Sequence, residues 1–233
     1  MNKETFYEEL AKLNIFLTSE QKEELDTYCK FLISYNEHTN LTAIKEPNDI
    51  YLKHVYDSLK LVKIHEFKDE TLLDVGTGAG FPGVVLAIVF PSLKITLLDS
   101  NNKKIKFLDE LIVKLNLKNV TTVHDRAENY VQNHREKFDL VTSRAVAELR
   151  ILLELNIPYL KVNGQFLVMK SSVEEELEKA TSALKVLNCH LDKEFSFSLP
   201  FEAGKRTLLL IIKDKETNLK YPRLYEKIKK QKL

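Results

Sequence analysis

Leu73-Asp-Val-Gly-Thr-Gly-Ala-Gly-Phe-Pro-Gly83 is the stretch on which the fold turns. It ends a short apolar run, Thr71 to Val75, and leads into the apolar residues that follow Pro82. Closely spaced glycines after a strand let the backbone pass close beneath a ligand, because no Cβ blocks the approach. Proline suits the first turn of a helix, where its missing N–H costs nothing. Strand, glycine turn and helix make the opening of a βαβ unit.

Two glycine registers fit. Gly78, Gly80 and Gly83 satisfy the dinucleotide spacing G-x-G-x-x-G, whereas Gly76, Gly78 and Gly80 make G-x-G-x-G directly after Asp74. The first leaves Asp74 and Gly76 unexplained and places Pro82 inside the phosphate-binding turn. The second uses all of them. A carboxylate at the strand tip would repel a pyrophosphate and would accept a hydrogen bond from the amino group of a zwitterionic sulfonium cofactor. That charge argument favours S-adenosylmethionine, with Asp74, Gly76 and Gly78 as binding residues. Asp99 ends Ile95-Thr-Leu-Leu-Asp99 about 20 residues further on, where an acid binds ribose hydroxyls; helix capping ahead of Asn101 is the other use for it. Ala127 and Glu128, in Val123-His-Asp-Arg-Ala-Glu128, are placed to face an adenine ring, with helix capping by Asp125 as the competing explanation.

Outward from the turn, strands at 71–75, 94–98, 120–123, 138–142 and 164–169 alternate with helices from Pro82 and over 101–115, 145–160 and 172–187. This rhythm predicts a mostly parallel sheet. The runs 191–199 and 206–212 then follow one another across a short loop around Pro200 and Gly204, so they must pair antiparallel. The expected fold is α/β: a Rossmann-like class I methyltransferase fold, its seven-stranded sheet ending in an antiparallel pair. Residues 1–66 read as an N-terminal helical extension, with a Thr18/Ser19 helix start and a further helix after Pro47. Residues 67–215 form the cofactor-binding core and 216–233 a basic tail, the whole being one domain.

Bulk properties narrow the function classes. The 233 residues are 44% hydrophobic and 30% charged with a net charge of +1, ordinary for a globular chain and no global push toward nucleic acid. Two distant cysteines, Cys29 and Cys189, have neither metal-like nor redox spacing. No metal is expected. The start MNKETFYEEL is not a signal peptide and no apolar run approaches a bilayer span, which predicts a cytoplasmic protein that does not engage membranes.

Several separate motifs, in order, resemble the bacterial 16S rRNA guanine-N7 methyltransferases, the RsmG or GidB (glucose-inhibited division protein B) family. They are Asn40-Leu-Thr-Ala-Ile44, Lys53-His54 with Asp57-Ser58-Leu59, the glycine turn, Thr96-Leu-Leu-Asp-Ser100 with Lys103-Lys104 and Phe107-Leu108, Arg126-Ala-Glu128, and Val141-Thr-Ser-Arg-Ala145. The resemblance implies cofactor contacts at Gly76, Phe81, Ala127, Glu128 and Arg144. It also implies methylation of a guanine N7 in the 530 loop, with 16S rRNA or the small subunit as partner, no obligate protein partner, and a monomer. The tail keeps Tyr221-Pro-Arg223 but continues Leu-Tyr-Glu-Lys-Ile-Lys-Lys, where the family often has a Pro/Gly-containing basic tail.

The chemistry needs no acid/base pair. Guanine N7 is an unprotonated acceptor, so there is no proton to remove; the enzyme must position the base and stabilise charge moving onto it. Arg144, after the fourth strand, is the main candidate, holding a phosphate or the guanine O6; a salt bridge to Glu148 would be its structural use. Phe81 would stack on the target base, cover the cofactor or simply pack. His54, Asp57 and Ser58 share a helix face and would close the site or form a buried cluster. Lys53, Lys103, Lys104, Lys106, Lys170, Lys205 and Arg206 are candidates for a phosphate-binding rim. Competing functions are a small-molecule S-adenosylmethionine methyltransferase, a nicotinamide-dependent oxidoreductase and a non-catalytic RNA-binding module.

Overall fold

The computed structural model describes residues 1–144 and 147–233. Apolar runs of five to eleven residues pair as β1 (Thr71–Val75), β2 (Lys94–Asp99), β3 (Val120–His124), β4 (Phe138–Arg144), β5 (Leu160–Lys170), β6 (Cys189–Ser198) and β7 (Lys205–Lys213). They make one seven-stranded sheet in the order β3-β2-β1-β4-β5-β7-β6. The first five are parallel; β7 is antiparallel to both neighbours. The expected antiparallel pair is present, and the last strand inserts between β5 and the edge strand β6.

The N-terminal helices are α1 (Lys3–Ala11), α2 (Ser19–Thr39), α3 (Pro47–Ile50) and α4 (Asp57–Leu59). A wide π-helical turn, Tyr51–Tyr56, joins α3 to α4, and a 3-10 turn, Lys60–Lys63, follows. Thr18 accepts from the Gln21 amide while Gln21 returns the bond, and Asn40 closes α2 in the left-handed conformation. Phe6, Leu25, Tyr28 and Leu32 share one core with α5 (Gly83–Val89) and α6 (Asn102–Leu115) on one face of the sheet. The other face is covered by α8 (Leu149–Asn156) and α9 (Glu174–Val186), with α7 (Ala127–Tyr130) beside them.

Two boundaries differ from expectation. The helix expected over 145–160 is regular only from Leu149 to Asn156, and residues 145 and 146 lie outside the described residues. Pro158 has no N–H to carry the helix on, and Ile157–Tyr159 tightens into a 3-10 turn. β5 then begins at Leu160, four residues before the expected 164, because Gly164 sits inside the strand. A Cβ there would come 2.8 Å from Lys161 O, and the β4–β5 register shifts alongside it.

The last residues do not form a free basic end. Arg135 donates to the carbonyls of Thr217 and Tyr221, Tyr221 is buried, and α10 (Tyr225–Lys230) buries Ile228 against Ile151 and Leu155. Among the described residues, no helix is long and apolar enough to cross a membrane.

The chain leaves β1 toward β2 on one side and returns as β4 on the other, so a crevice opens at the C-terminal ends of β1 and β4. Its floor depends on Gly83. A Cβ there would collide with Leu97 and lie 2.8 Å from Asp74 Oδ2. Gly83→Ala is expected to cost about 1–3 kcal/mol through overpacking, or more if β1 and α5 cannot separate. Urea denaturation monitored by circular dichroism measures it; a variant as stable as the parent would show that the helix–strand contact is looser than described.

Candidate active site

The glycine turn hangs from the sheet by two hydrogen bonds, Gly76 N and Thr77 N both donating to Leu98 O at 2.8 and 3.1 Å. Beneath it Asp74 is wholly buried. Its Oδ2 accepts from Thr77 Oγ1 at 2.7 Å and from Gly83 N at 2.9 Å, and its Oδ1 has no partner. Burial lifts this carboxyl to about 6, against the pull of the Thr77 and Gly83 bonds. Asp74 therefore occupies the place at the start of α5 that a pyrophosphate would need.

A cavity of about 620 Å³ lies over the turn, lined by Gly76, Gly78, Asp99, Ala127, Glu128 and Arg144, with Leu41, Thr42, Phe81, Leu155 and Tyr225 around them. Asp99 takes Gly78 N on Oδ2 at 2.9 Å and Asn101 N on Oδ1 at 2.8 Å. Asn101, not Asp99, caps α6 by accepting from Lys103 N. Gly78, at φ +63°, has no atom nearer than 4.0 Å to where a Cβ would project, so the turn's backbone lies open to a ligand. At the β3 side Asp125 accepts only from the neighbouring Arg126 N, and α7 has no side-chain cap. Cavity and donors fit an adenosyl cofactor: an acid at the end of β2, exposed turn backbone, and an α5 start whose Gly83 N is already taken by Asp74.

Arg144 ends β4 with a largely buried side chain, 16% exposed. It donates to Lys53 O at 3.2 Å, stands 3.0 Å from His54 Nδ1 and 3.8 Å from Asp57 Oδ2, and lies over the Phe81 ring at 5.2 Å. Arginine only donates, so Nδ1 of His54 accepts, and Nε2 carries the proton it gives to Thr42 Oγ1 at 3.1 Å. Burial, then the Arg144 charge, push His54 down to about 3, so it stays neutral. Phe81 is sandwiched between His54 and Tyr28, with ring centroids 4.4 and 5.0 Å away.

Arg144 and His54 also wall a second cavity of about 570 Å³, where Lys53, Asp57, Lys170 and Arg206 converge. Arg206 Nε donates to Asp57 Oδ2 at 3.1 Å, and Asp57 Oδ1 has no partner among the described residues. Burial raises the Asp57 carboxyl against the pull of Arg144 and Arg206. Lys170 donates to Ala147 O at 3.0 Å and pairs with Glu176.

Gly76, Gly78, Asp99, Ala127, Glu128 and Arg144 thus come together around one cavity, and His54, Asp57, Lys170 and Arg206 around its neighbour. Five expectations are corrected. Asp74 does not line the cavity, because its carboxylate is spent on the turn itself. Ser58 is buried and donates back to His54 O at 2.6 Å, so it is a helix back-bond and does not reach the site. Phe81 has both faces occupied and cannot stack on a target base. Lys104 turns into the first cavity, 3.7 Å from Asp99, instead of joining a rim, while Lys103 stays exposed on α6 and lines neither cavity. The Arg144–Glu148 bridge is not formed; Glu148 pairs with Arg150 and Lys232. Thr42, Tyr28 and Tyr225 were missed. Thr42 lies inside a quoted motif, but nothing in its spacing announces a partner twelve residues on.

The His54 arrangement has a pH signature. Its folded value of about 3 lies below the ordinary 6.5, so the unfolded chain takes up a proton first and stability falls as pH drops below 6.5. Relative to His54→Gln, which lacks this proton, the parent should lose about 2 kcal/mol between pH ~7 and ~5. Urea titrations at both pH values check it; a difference that does not change with pH would mean His54 titrates normally in the fold.

The comparisons with known proteins agree with this geometry. A family profile described as GidB, rRNA small subunit methyltransferase G, matches residues 21–202. The ribosomal RNA small subunit methyltransferase G of Lactobacillus helveticus is 50% identical over 229 residues, covering 96% of this chain and 95% of that protein. Its counterpart from Listeria monocytogenes is 46% identical over 227 residues, at 96% and 95% coverage. A crystal structure of a SAM-dependent methyltransferase from Aquifex aeolicus superimposes with a TM-score of 0.56 over 75% of this chain and 97% of that one, and at 20% identity it speaks for the fold alone. With half its sequence shared across nearly its whole length, the chain belongs to the rRNA small subunit methyltransferase G family.

Proposed function

We propose that this chain methylates N7 of a guanine in the 530 loop of 16S rRNA, with the cofactor over the glycine turn and the guanine in the cavity beyond Arg144. Methyl transfer to small-subunit rRNA comes with family membership. The target atom, the loop and the residue roles are the proposal. The observation that carries it is the shared wall: His54 and Arg144 face both cavities, so two ligands can meet only there. The two cavities also differ in charge. In the first, Asp99, Asp125 and Glu128 are balanced by Lys104, Arg126 and Arg144, which suits a zwitterionic nucleoside; in the second, Lys53, Arg144, Lys170 and Arg206 outnumber Asp57 and Glu176, which suits RNA phosphates.

When bound, S-adenosylmethionine supplies the methyl group, its S–C bond breaking as the N7 lone pair forms the new N–C bond. The chain need not hold a base, and His54 is not one: Arg144 occupies its Nδ1, and its Nε2 carries a proton already. Arg144 presents guanidinium N–H groups at the wall, where O6 beside N7 would accept them. The carboxylates of Asp57 and Glu176 balance the surrounding cations and offset the positive charge that methylation leaves on the purine. A flipped or looped-out nucleotide is required, since a stacked base cannot enter such a cavity.

The test is to map N7-methylguanosine in 16S rRNA by borohydride/aniline cleavage, in cells with and without the gene. One cleavage in the 530 loop should disappear with the gene and return with the parent chain. It should not return with Gly76→Asp, which puts a side chain at φ +72° and a second carboxylate near Asp99. An unchanged pattern would refute the substrate assignment while leaving the family intact.

A further inference from the structure

The C-terminal segment has charge but no assigned task, and it ends on the cofactor cavity. Tyr225, the first residue of α10, lines that cavity together with Ala127 and Leu155. It also packs with Ala127 on the small cluster formed by Ile151, Leu155 and Ile228. The segment is held there firmly. Arg223 gives Nε and its own amide to Glu154 Oε1 at 2.7 and 2.9 Å and Nη2 to Oε2 at 2.6 Å. Glu154 is fully buried, so its charge depends on Arg223 for a partner. Ile228, three residues on and on the same face of α10, is buried against Ile151 and Leu155, and Lys232 pairs with Glu148 at 2.5 Å.

Tyr225 shares its part of the cavity with Ala127 and Leu155, its neighbours in the small cluster beneath α10. The acid that would take ribose hydroxyls, Asp99, comes first; Ala127 and Glu128 lie beyond it. What protrudes past a ribose in that direction is a flat, largely apolar nucleobase with a polar edge. Such a ring wants an aromatic or apolar face against it and hydrogen-bonding groups at its rim. Glu128 and Asp125 supply the rim, and Ala127 and Leu155 supply apolar surface. Among the described residues lining the cavity, Tyr225 is the aromatic ring that packs with Ala127 and Leu155, with Lys229 Nζ 5.7 Å from its centroid.

We propose that Tyr225 is a cofactor-binding residue: the C-terminal segment straps across α8 to lay this ring against the adenine of the bound cofactor. This rests on the cavity over the glycine turn holding an adenosyl ligand, and not on which RNA atom is methylated. The basic residues of α10 then have an exposed face of their own, while the helix is held by Arg223 and Ile228.

The test is calorimetric titration of the full chain with S-adenosylmethionine and with S-adenosylhomocysteine, in the absence of RNA. Tyr225→Ala should weaken both by about tenfold, the loss of one ring–base contact, while Tyr225→Phe should stay within about twofold of the parent. Ile228→Asp, which keeps the Tyr225 side chain but releases α10 and so withdraws the ring, should show the same loss as Tyr225→Ala. In turnover, Tyr225→Ala should raise KM for the cofactor by about the same tenfold. Parent-like affinity of Tyr225→Ala for both ligands overturns the proposal, and if its RNA affinity falls instead, the segment is an RNA contact. Because these titrations contain no RNA, they succeed or fail independently of the 16S mapping.

Discussion

A permanently charged guanidinium inside a protein must be answered by its surroundings, and Arg144 is answered by three groups from two adjoining elements. The Lys53 carbonyl and the His54 ring nitrogen come from the π-helical turn, and the Asp57 carboxylate from the helix that follows it. These contacts fasten the N-terminal helices to the end of β4. They also hold His54 neutral and fix its tautomer, which in turn fixes Thr42 and the loop that borders the cavity. Wide helical turns recur at functional sites, and this one carries His54 to the shared wall of the two cavities.

The second constraint is Asp74. A buried carboxylate with one unpartnered oxygen is an expensive group, yet its other oxygen ties strand, turn and helix together through Thr77 and Gly83. In doing so it fills the anion position that dinucleotide-binding proteins leave open at the helix start. The discrimination between a pyrophosphate and a sulfonium cofactor is therefore built into the floor of the site. The charge argument from sequence reached the right cofactor class, and the fold turns Asp74 beneath the glycine turn, where it binds Thr77 and Gly83 and does not line the cavity.

Local rules carried most of the fold. The glycine turn, the strand–helix rhythm from 71 to 169, the Thr18 and Asn101 region helix starts and the closing antiparallel pair all follow from spacing and turn chemistry. The strand boundary at Leu160 did not, because a glycine inside a strand looks like its edge until the neighbouring strand's register is known. In the site, Gly76, Gly78 and Asp99 were legible since strand ends in such sheets converge on one crevice. Ser58 was not, because helical spacing tells which residues share a face and not what that face meets.

The basic tail shows the limit most clearly. Composition there suggests a solvated end, and no local pattern marks Glu154, 69 residues earlier, as the buried partner of Arg223. The sequence by itself determined the sheet, the turn and the class of ligand, because each depends on residues within a few positions of one another. Only the tertiary structure decided that Arg144 joins two cavities, that Asp74 faces inward and that Tyr225 lines the cavity over the glycine turn. Those outcomes depend on the pairing of buried charges and rings between segments far apart in the chain, which burial makes obligatory and sequence distance conceals.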